Sequence, residues 1–202
     1  MKASEIYTQI TKRNGLYNIQ AINNIPSIMK YGLLSNKKAE EIPHISIAMN
    51  EIQQRRDAVL LPNNVPLHEY ANLYFDSRNP MLYKRRNLYN DICILVFDTS
   101  ILDIEGVIVS DQNASSNYAN FYLPKLGLQA IDFNLVFALD WNDNIESELF
   151  RKRSIKCAEV LVPEAIPFDY LLYAAVNNDI AANNLMEIGF NRKIYFEERL
   201  FF

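Results

Sequence analysis

A chain of 202 residues, 50% hydrophobic, 12% aromatic and 22% charged, has the core material for one packed domain over 1–202, which excludes disordered, collagen-like and disulfide-framework classes. Its 5 glycines argue against a fold built on glycine-rich phosphate loops. The net charge of -4 is unevenly spread, because bases gather at Arg78, Lys84, Arg85 and Arg86 and again at Arg151, Lys152, Arg153 and Lys156, leaving the remaining surface strongly acidic. No apolar run approaches the roughly 18 residues of a membrane span, and Met1-Lys2-Ala3-Ser4-Glu5 lacks a signal-peptide stretch, so a cytoplasmic protein without a membrane partner is expected.

In chain order, 16–19 alternates like a strand, and 22–32 carries Ile22, Ile25, Ile28 and Met29 at helical spacing. Asn23 or Asn24 can cap that helix, Pro26 suits its first turn and Gly32 stops it. A loop over 33–42 leads to a second helix over 45–56, followed by a proline-bracketed loop to His68 and a strand at 73–75. Asn79-Pro80 signals a turn, 91–97 reads as a fully buried strand, and 106–109 as another. The stretch 111–120 is the most loop-like. A helical turn at 145–150 runs into the second basic cluster, 156–162 is a strand, and a helix around 174–188 precedes an aromatic strand at 193–202. These elements make a single mixed α+β domain.

Chemistry-bearing residues are few. Cys93 and Cys157 sit beside strand-like runs and read as buried free thiols, and with His44 and His68 they lack metal-ligand spacing, so no metal is expected. Glu159 lies inside a Val/Leu-rich strand, where a carboxylate is costly unless it is paired, used, or turned outward on an edge. Arg55-Arg56 closes the second helix either as a solvated pair or as a functional one. A charge run is usually a solvated face, but Tyr83 and Tyr89 interleave with the first basic cluster, the combination of phosphate contacts and stacking surfaces that single-stranded nucleic acid favours.

A series of short segments then runs through the chain: Leu16-Tyr17-Asn18-Ile19-Gln20, Asn24-Ile25-Pro26-Ser27-Ile28, Gly32-Leu33-Leu34-Ser35, Ser46-Ile47-Ala48 and Ile52-Gln53-Gln54-Arg55-Arg56. It continues through Leu67-His68-Glu69-Tyr70, Arg78-Asn79-Pro80-Met81-Leu82-Tyr83, Ser110-Asp111-Gln112-Asn113-Ala114, Leu139-Asp140-Trp141 and Ala158-Glu159-Val160-Leu161-Val162. In this order, colinearly over essentially the whole chain, the segments resemble the DarT family of DNA ADP-ribosyltransferase toxins.

The resemblance implies a compact ADP-ribosyltransferase fold, with NAD as co-substrate in a cleft flanked by two small sheets and peripheral helices. ADP-ribose would pass to a base of single-stranded DNA, thymidine by the commoner family behaviour and guanosine as the alternative. A catalytically impaired nucleic-acid-binding module and a protein-directed transferase are the other readings. By the same resemblance Glu159 and Arg56 are catalytic, and Asn18, Ile19, Gln20, Ser27, Ser35 and Arg56 bind NAD. Segment 40–58 closes over NAD, and 107–159 reads the substrate. DNA contacts are expected from Arg78, Lys84, Arg85, Arg86, Asn113, Ser115, Arg151 and Arg153, and the implied partner is a macrodomain antitoxin of the DarG type. Asn18 stands where the family's Tyr-His-Ile/Phe motif has its histidine; it keeps a donor and an acceptor but cannot carry charge. A carboxylate suits the chemistry, because breaking the nicotinamide–ribose bond develops positive charge on the ribose.

Overall fold

The structure is a computed structural model that describes residues 1–47 and 50–202. The chain runs α1 (Ala3–Thr11), β1 (Gly15–Ala21), α2 (Ile25–Tyr31), β2 (Leu33–Leu34), α3 (Asn36–Ala39) and α4 (Asn50–Asp57). It continues through β3 (Tyr70–Tyr74), α5 (Pro80–Tyr83), β4 (Ile92–Asp98), β5 (Ile108–Ser110), β6 (Phe121–Tyr122), α6 (Pro124–Ala130) and α7 (Phe133–Val136). The last elements are α8 (Glu146–Ile155), β7 (Glu159–Pro163), β8 (Ala165–Ile166), β9 (Leu171–Val176), α9 (Asp179–Glu187) and β10 (Lys193–Phe196).

Two small sheets were expected, and the fold differs. One eight-stranded sheet has the order β10-β9-β4-β1-β3-β7-β5-β6, and only the short β2–β8 pair stands apart. The join at the middle explains both the expectation and its failure. β1 pairs with β4 along all seven residues, from Gly15↔Asp98 to Ala21↔Ile92, yet meets β3 in register only at Tyr17↔Tyr74. The sheet is therefore two four-stranded halves hinged on one residue pair, and past that pair β1 and β3 diverge. Beyond it the polar side chains of β1 turn to the gap, where Asn18 Nδ2 donates to Asn72 O across 3.1 Å.

Most of the apolar residues of the sheet share one core with α1, α2, α6, α7 and α9, centred on Tyr7, Phe75, Phe97 and Val160. A smaller cluster around Tyr17, Ile19, Ile94 and Leu200 packs the other face. Helix α2 ends at Gly32, whose φ of +79° is open to glycine and whose missing Cβ lets the backbone come against Ile166; an added Cβ would lie 2.3 Å from that carbonyl oxygen. That close approach brings β2 onto β8 and sets the outer rim of the gap.

Several boundaries move for physical reasons. The expected helix at 174–188 starts too early: Ala174 and Val176 belong to β9, and Asn178 caps α9 by accepting from Ala181 N at 3.0 Å. The polar run Asn177-Asn178-Asp179 marks the junction between the strand and the helix. The helix expected over 45–56 is α4 alone, with residues 45–47 non-helical and 48–49 outside the described residues. The loop over 33–42 holds β2 and α3, and α1 carried no signal that had been read. Cys93 and Cys157 are buried free thiols, as expected.

Candidate active site

The divergence of β1 from β3 opens a cleft of about 290 Å³. Asn18, Ile19, Gln20, Ser27 and Arg56 line it, as do Asn72 and Tyr74 from β3 and Asn113 from the 111–120 loop. Ser35 does not belong to the lining; it is buried as the cap of α3, accepting from Lys38 N, while its own N–H donates to Glu164 O at 2.7 Å. Gln20 Oε1 accepts from Asn24 Nδ2 at 2.8 Å, so the β1 end of the cleft is a linked amide network.

Glu159 opens β7, an inner strand between β3 and β5, and is 0% exposed. The outward-facing, edge-strand reading is thereby excluded. Across the cleft wall, Arg56 from the last turn of α4 sets its Nη1 at 3.0 Å from both Oε1 and Oε2. Oε1 also accepts from Ala114 N at 3.0 Å, and the Glu159 N–H donates to Ser110 Oγ at 3.2 Å. One guanidinium nitrogen thus straddles the carboxylate, and only Oε1 has a second partner. Arg56 faces the cleft and Glu159 lies behind it. Arg55 points to solvent, which separates the two arginines that the sequence could not. Burial first, and the Glu159 charge second, raise the phenol pKa of the neighbouring Tyr74. Burial pushes the Cys157 thiol up to about 12, which removes it as a nucleophile.

The described part of segment 40–58 covers the cleft. Residues 42–47 are tied down by Asn24, whose Nδ2 donates to Ile45 O and whose Oδ1 accepts from Ile45 N, both at 2.8 Å, and by Arg85, whose Nε donates to Ile47 O at 2.7 Å. Asn24, read as a helix cap, makes no side-chain cap bond at all.

The first basic cluster gathers around an aromatic group. Tyr83 stands edge-on to Trp141 at 5.8 Å and to Phe202 at 5.3 Å, Arg86 stacks over the Tyr83 ring at 3.6 Å, and Arg78 over Phe202 at 4.9 Å. Lys84 and Arg86 are exposed, and Lys84 also lines the cleft. On α8, Arg151 is exposed but paired with Glu148 at 2.9 Å, and Arg153 is exposed. Lys156, grouped with them by sequence, is 1% exposed and leaves the cluster: its Nζ donates to Asp76 Oδ2 at 2.6 Å and to Val136 O and Ala138 O. Ser115 is buried with its hydroxyl on Asn113 Oδ1 at 2.7 Å, an Asx-type turn inside the 111–120 loop.

Two lining residues carry family motifs but no site role was expected of them. Gln53 shares the inner face of α4 with Arg56, and His68 approaches from the 3-10 turn Leu67–Glu69 to pair with Asp57. The only available signal was the i, i+3 spacing of Gln53 and Arg56. No group of three or more metal-ligating side chains occurs among the described residues, and no helix there is long and apolar enough to cross a membrane.

The sequence model of a family described as ssDNA thymidine ADP-ribosyltransferase, DarT, matches residues 17–202. A DNA ADP-ribosyl transferase–DNA ADP-ribosyl glycohydrolase fusion protein of Thermosipho africanus (strain H17ap60334) is 33% identical over 187 residues, 89% of this chain and 46% of the fusion. The chain therefore spans about half the length of that relative. A DNA ADP-ribosyl transferase of Thermus sp. (strain 2.9) is 27% identical over 184 residues, 86% of each chain. The solved structure of Thermus sp. 2.9 DarT in complex with ADP-ribosylated ssDNA matches with a TM-score of 0.81 at 24% identity, over 95% of this chain and 97% of that one, a likeness of fold. The family match starts in the strand that forms the cleft and takes in both Arg56 and Glu159, so the chain belongs to the DarT family of ssDNA thymidine ADP-ribosyltransferases.

Proposed function

We propose that this chain transfers ADP-ribose from NAD to thymidine in single-stranded DNA and releases nicotinamide. The observation that carries this reading is the buried Arg56–Glu159 pair set into the wall of a cleft lined by amide side chains. The lining fits a dinucleotide rich in hydroxyl and amide groups, since Asn18, Gln20, Asn72 and Asn113 offer both donors and acceptors.

Within that site each residue has a task. Glu159 Oε2, whose only partner among the described residues is Arg56, turns to the ribose when Nη1 shifts onto Oε1; Oε1 stays fixed by the Ala114 amide. A carboxylate held there favours the positively charged transition state over the neutral ground state. Arg56 orients the incoming base or the pyrophosphate with its remaining N–H groups. The proton of the base leaves to Glu159 or to water, because a guanidinium is already protonated.

Lys84 and Arg85 at the cleft, Arg78 and Arg86 on the Tyr83–Trp141–Phe202 group, and Arg151 and Arg153 on α8 hold the DNA strand, and Asn113 with the loop shaped by Ser115 reads its sequence. A base in a duplex is stacked and paired on the edge to be modified, so the substrate is single-stranded. A macrodomain antitoxin of the DarG type is the expected partner, and the joining of transferase and glycohydrolase in the Thermosipho relative supports it. The site of action is cytoplasmic, where NAD and DNA meet. Nicotinamide release measured with NAD alone, with a thymidine-containing oligonucleotide and with a protein mixture tests this reading. Release stimulated by the oligonucleotide is expected; release that depends on protein, or none in any arm, would overturn it.

A further inference from the structure

Gln53 Oε1 and His68 Nε2 are buried without a hydrogen-bond partner among the described residues, and both residues line the cleft. A buried polar atom of this kind is met by water or by a ligand, since leaving it unmatched is costly. For His68 the structure fixes which kind of partner it needs. Its Nδ1 lies 2.8 Å from Asp57 Oδ1, and a carboxylate can only accept, so the proton sits on Nδ1 and Nε2 offers a lone pair. Asn36 Nδ2, at 3.5 Å from Nδ1, instead gives its amide to Glu40 at 2.9 Å.

Chemistry then narrows the partner to a donor. Phosphate oxygens only accept, and the sugars inside a DNA strand have both hydroxyls esterified. Besides the N–H groups of the bases and of the nicotinamide amide, the donors left are the free hydroxyls that NAD keeps on both riboses. Position selects between them. In the β3–β7 ladder Tyr74 lies opposite Glu159 and Tyr70 opposite Pro163, four residues along, which is about 13 Å at a strand rise of about 3.3 Å. His68 precedes Tyr70, so it stands at the end of the cleft remote from the carboxylate that serves the reacting ribose.

We propose that His68, oriented by Asp57, binds the adenosine ribose of NAD, with Nε2 accepting from a ribose hydroxyl. The inference rests on the NAD reading and adds the orientation of NAD in the cleft, adenosine toward His68 and nicotinamide toward Glu159.

The test is calorimetric titration of NAD, and of an NAD analogue dideoxy in the adenosine ribose, into the wild-type chain, His68→Phe, His68→Gln and Asp57→Asn, without DNA. His68→Phe should weaken NAD by about tenfold, and His68→Gln, whose amide oxygen reaches the place of Nε2, should recover most of it. The analogue should bind the wild type about tenfold more weakly than NAD yet bind His68→Phe no more weakly than NAD does, the non-additivity of one shared contact. In turnover with DNA, KM for NAD should rise far more than kcat falls. Asp57 is exposed, so Asp57→Asn tests the tautomer without disturbing packing and should weaken NAD several-fold. Wild-type affinity in His68→Phe or in Asp57→Asn, or additive losses with the analogue, would overturn the proposal and leave the NAD reading standing. A wild-type chain that binds no NAD would overturn both.

Discussion

At the scale of single residues the account turns on Arg56 and Glu159. Glu159→Gln keeps an oxygen to accept from Ala114 N and Arg56, so the fold should persist while turnover falls by roughly 10²-fold or more, the usual cost of losing one electrostatic stabiliser. Glu159→Ala differs, because it leaves a buried guanidinium unpaired and should cost about 3–5 kcal/mol of stability as well. Thermal melts alongside single-turnover rates separate the two effects. Arg56→Lys should be nearly as inactive as Arg56→Ala, whereas Arg55→Lys, on the solvent side of α4, should retain activity; the reverse order would shift the catalytic assignment by one residue. Burial holds the His68 imidazole pKa below its ordinary value, with Asp57 and Glu40 opposing and Arg56 reinforcing. Because the acceptor is the neutral ring, NAD affinity should be constant above pH 6.5 and fall as pH drops through the imidazole pKa, by about the tenfold expected of His68→Phe, which titrations across that range would reveal. Composition and strand pattern raised Glu159 as costly but could not say whether its strand was inner or edge. The answer depends on β3 and β5 as neighbours and on a partner 103 positions away, which local pattern does not encode. Colinear family motifs supplied what periodicity could not. His68 and Asp57 stayed illegible because a helix end and a 3-10 turn meet only after folding.

At the scale of elements, charge in sequence and charge in space diverge most at Lys156. Arg151 and Arg153 before it lie on exposed positions of α8, but the chain turns inward at Lys156, where burial lowers the ammonium pKa and Asp76 opposes that shift. The ammonium joins the turn between α8 and β7 to the segment after β3 through Asp76, and to the end of α7 through Val136 O and Ala138 O. Lys156→Met should therefore act on stability rather than on DNA, lowering the melting temperature by on the order of 10 °C for a buried pair broken on one side. Unchanged melting together with weakened DNA binding would return Lys156 to the basic surface. The 78–86 segment behaves in the opposite way. Arg86→Glu should weaken every oligonucleotide alike and lower the slope of log affinity against log salt by roughly 0.7 per lost phosphate contact, read from titrations at several salt concentrations. The same segment also holds the cleft cover through Arg85.

At the scale of the whole molecule, a sheet that is continuous in order but joined at its centre by one register pair creates a cleft without a separate domain. That join was invisible in the sequence, since β1 and β3 each read as ordinary strands and the gap arises from where their pairing stops. One half of the sheet supplies Asn18 and Gln20, the other supplies Glu159, and α4 reaches between them with Arg56. The central claim is that this arrangement modifies thymidine in single strands at the expense of NAD. It is tested most directly by incubating the wild-type chain and Glu159→Gln with NAD and matched single-stranded and duplex oligonucleotides, followed by mass spectrometry of the digested nucleosides. The account predicts ADP-ribosylated thymidine from the single strand with the wild-type chain only; modified guanosine in place of thymidine, equal labelling of the duplex, or full labelling by Glu159→Gln would contradict it.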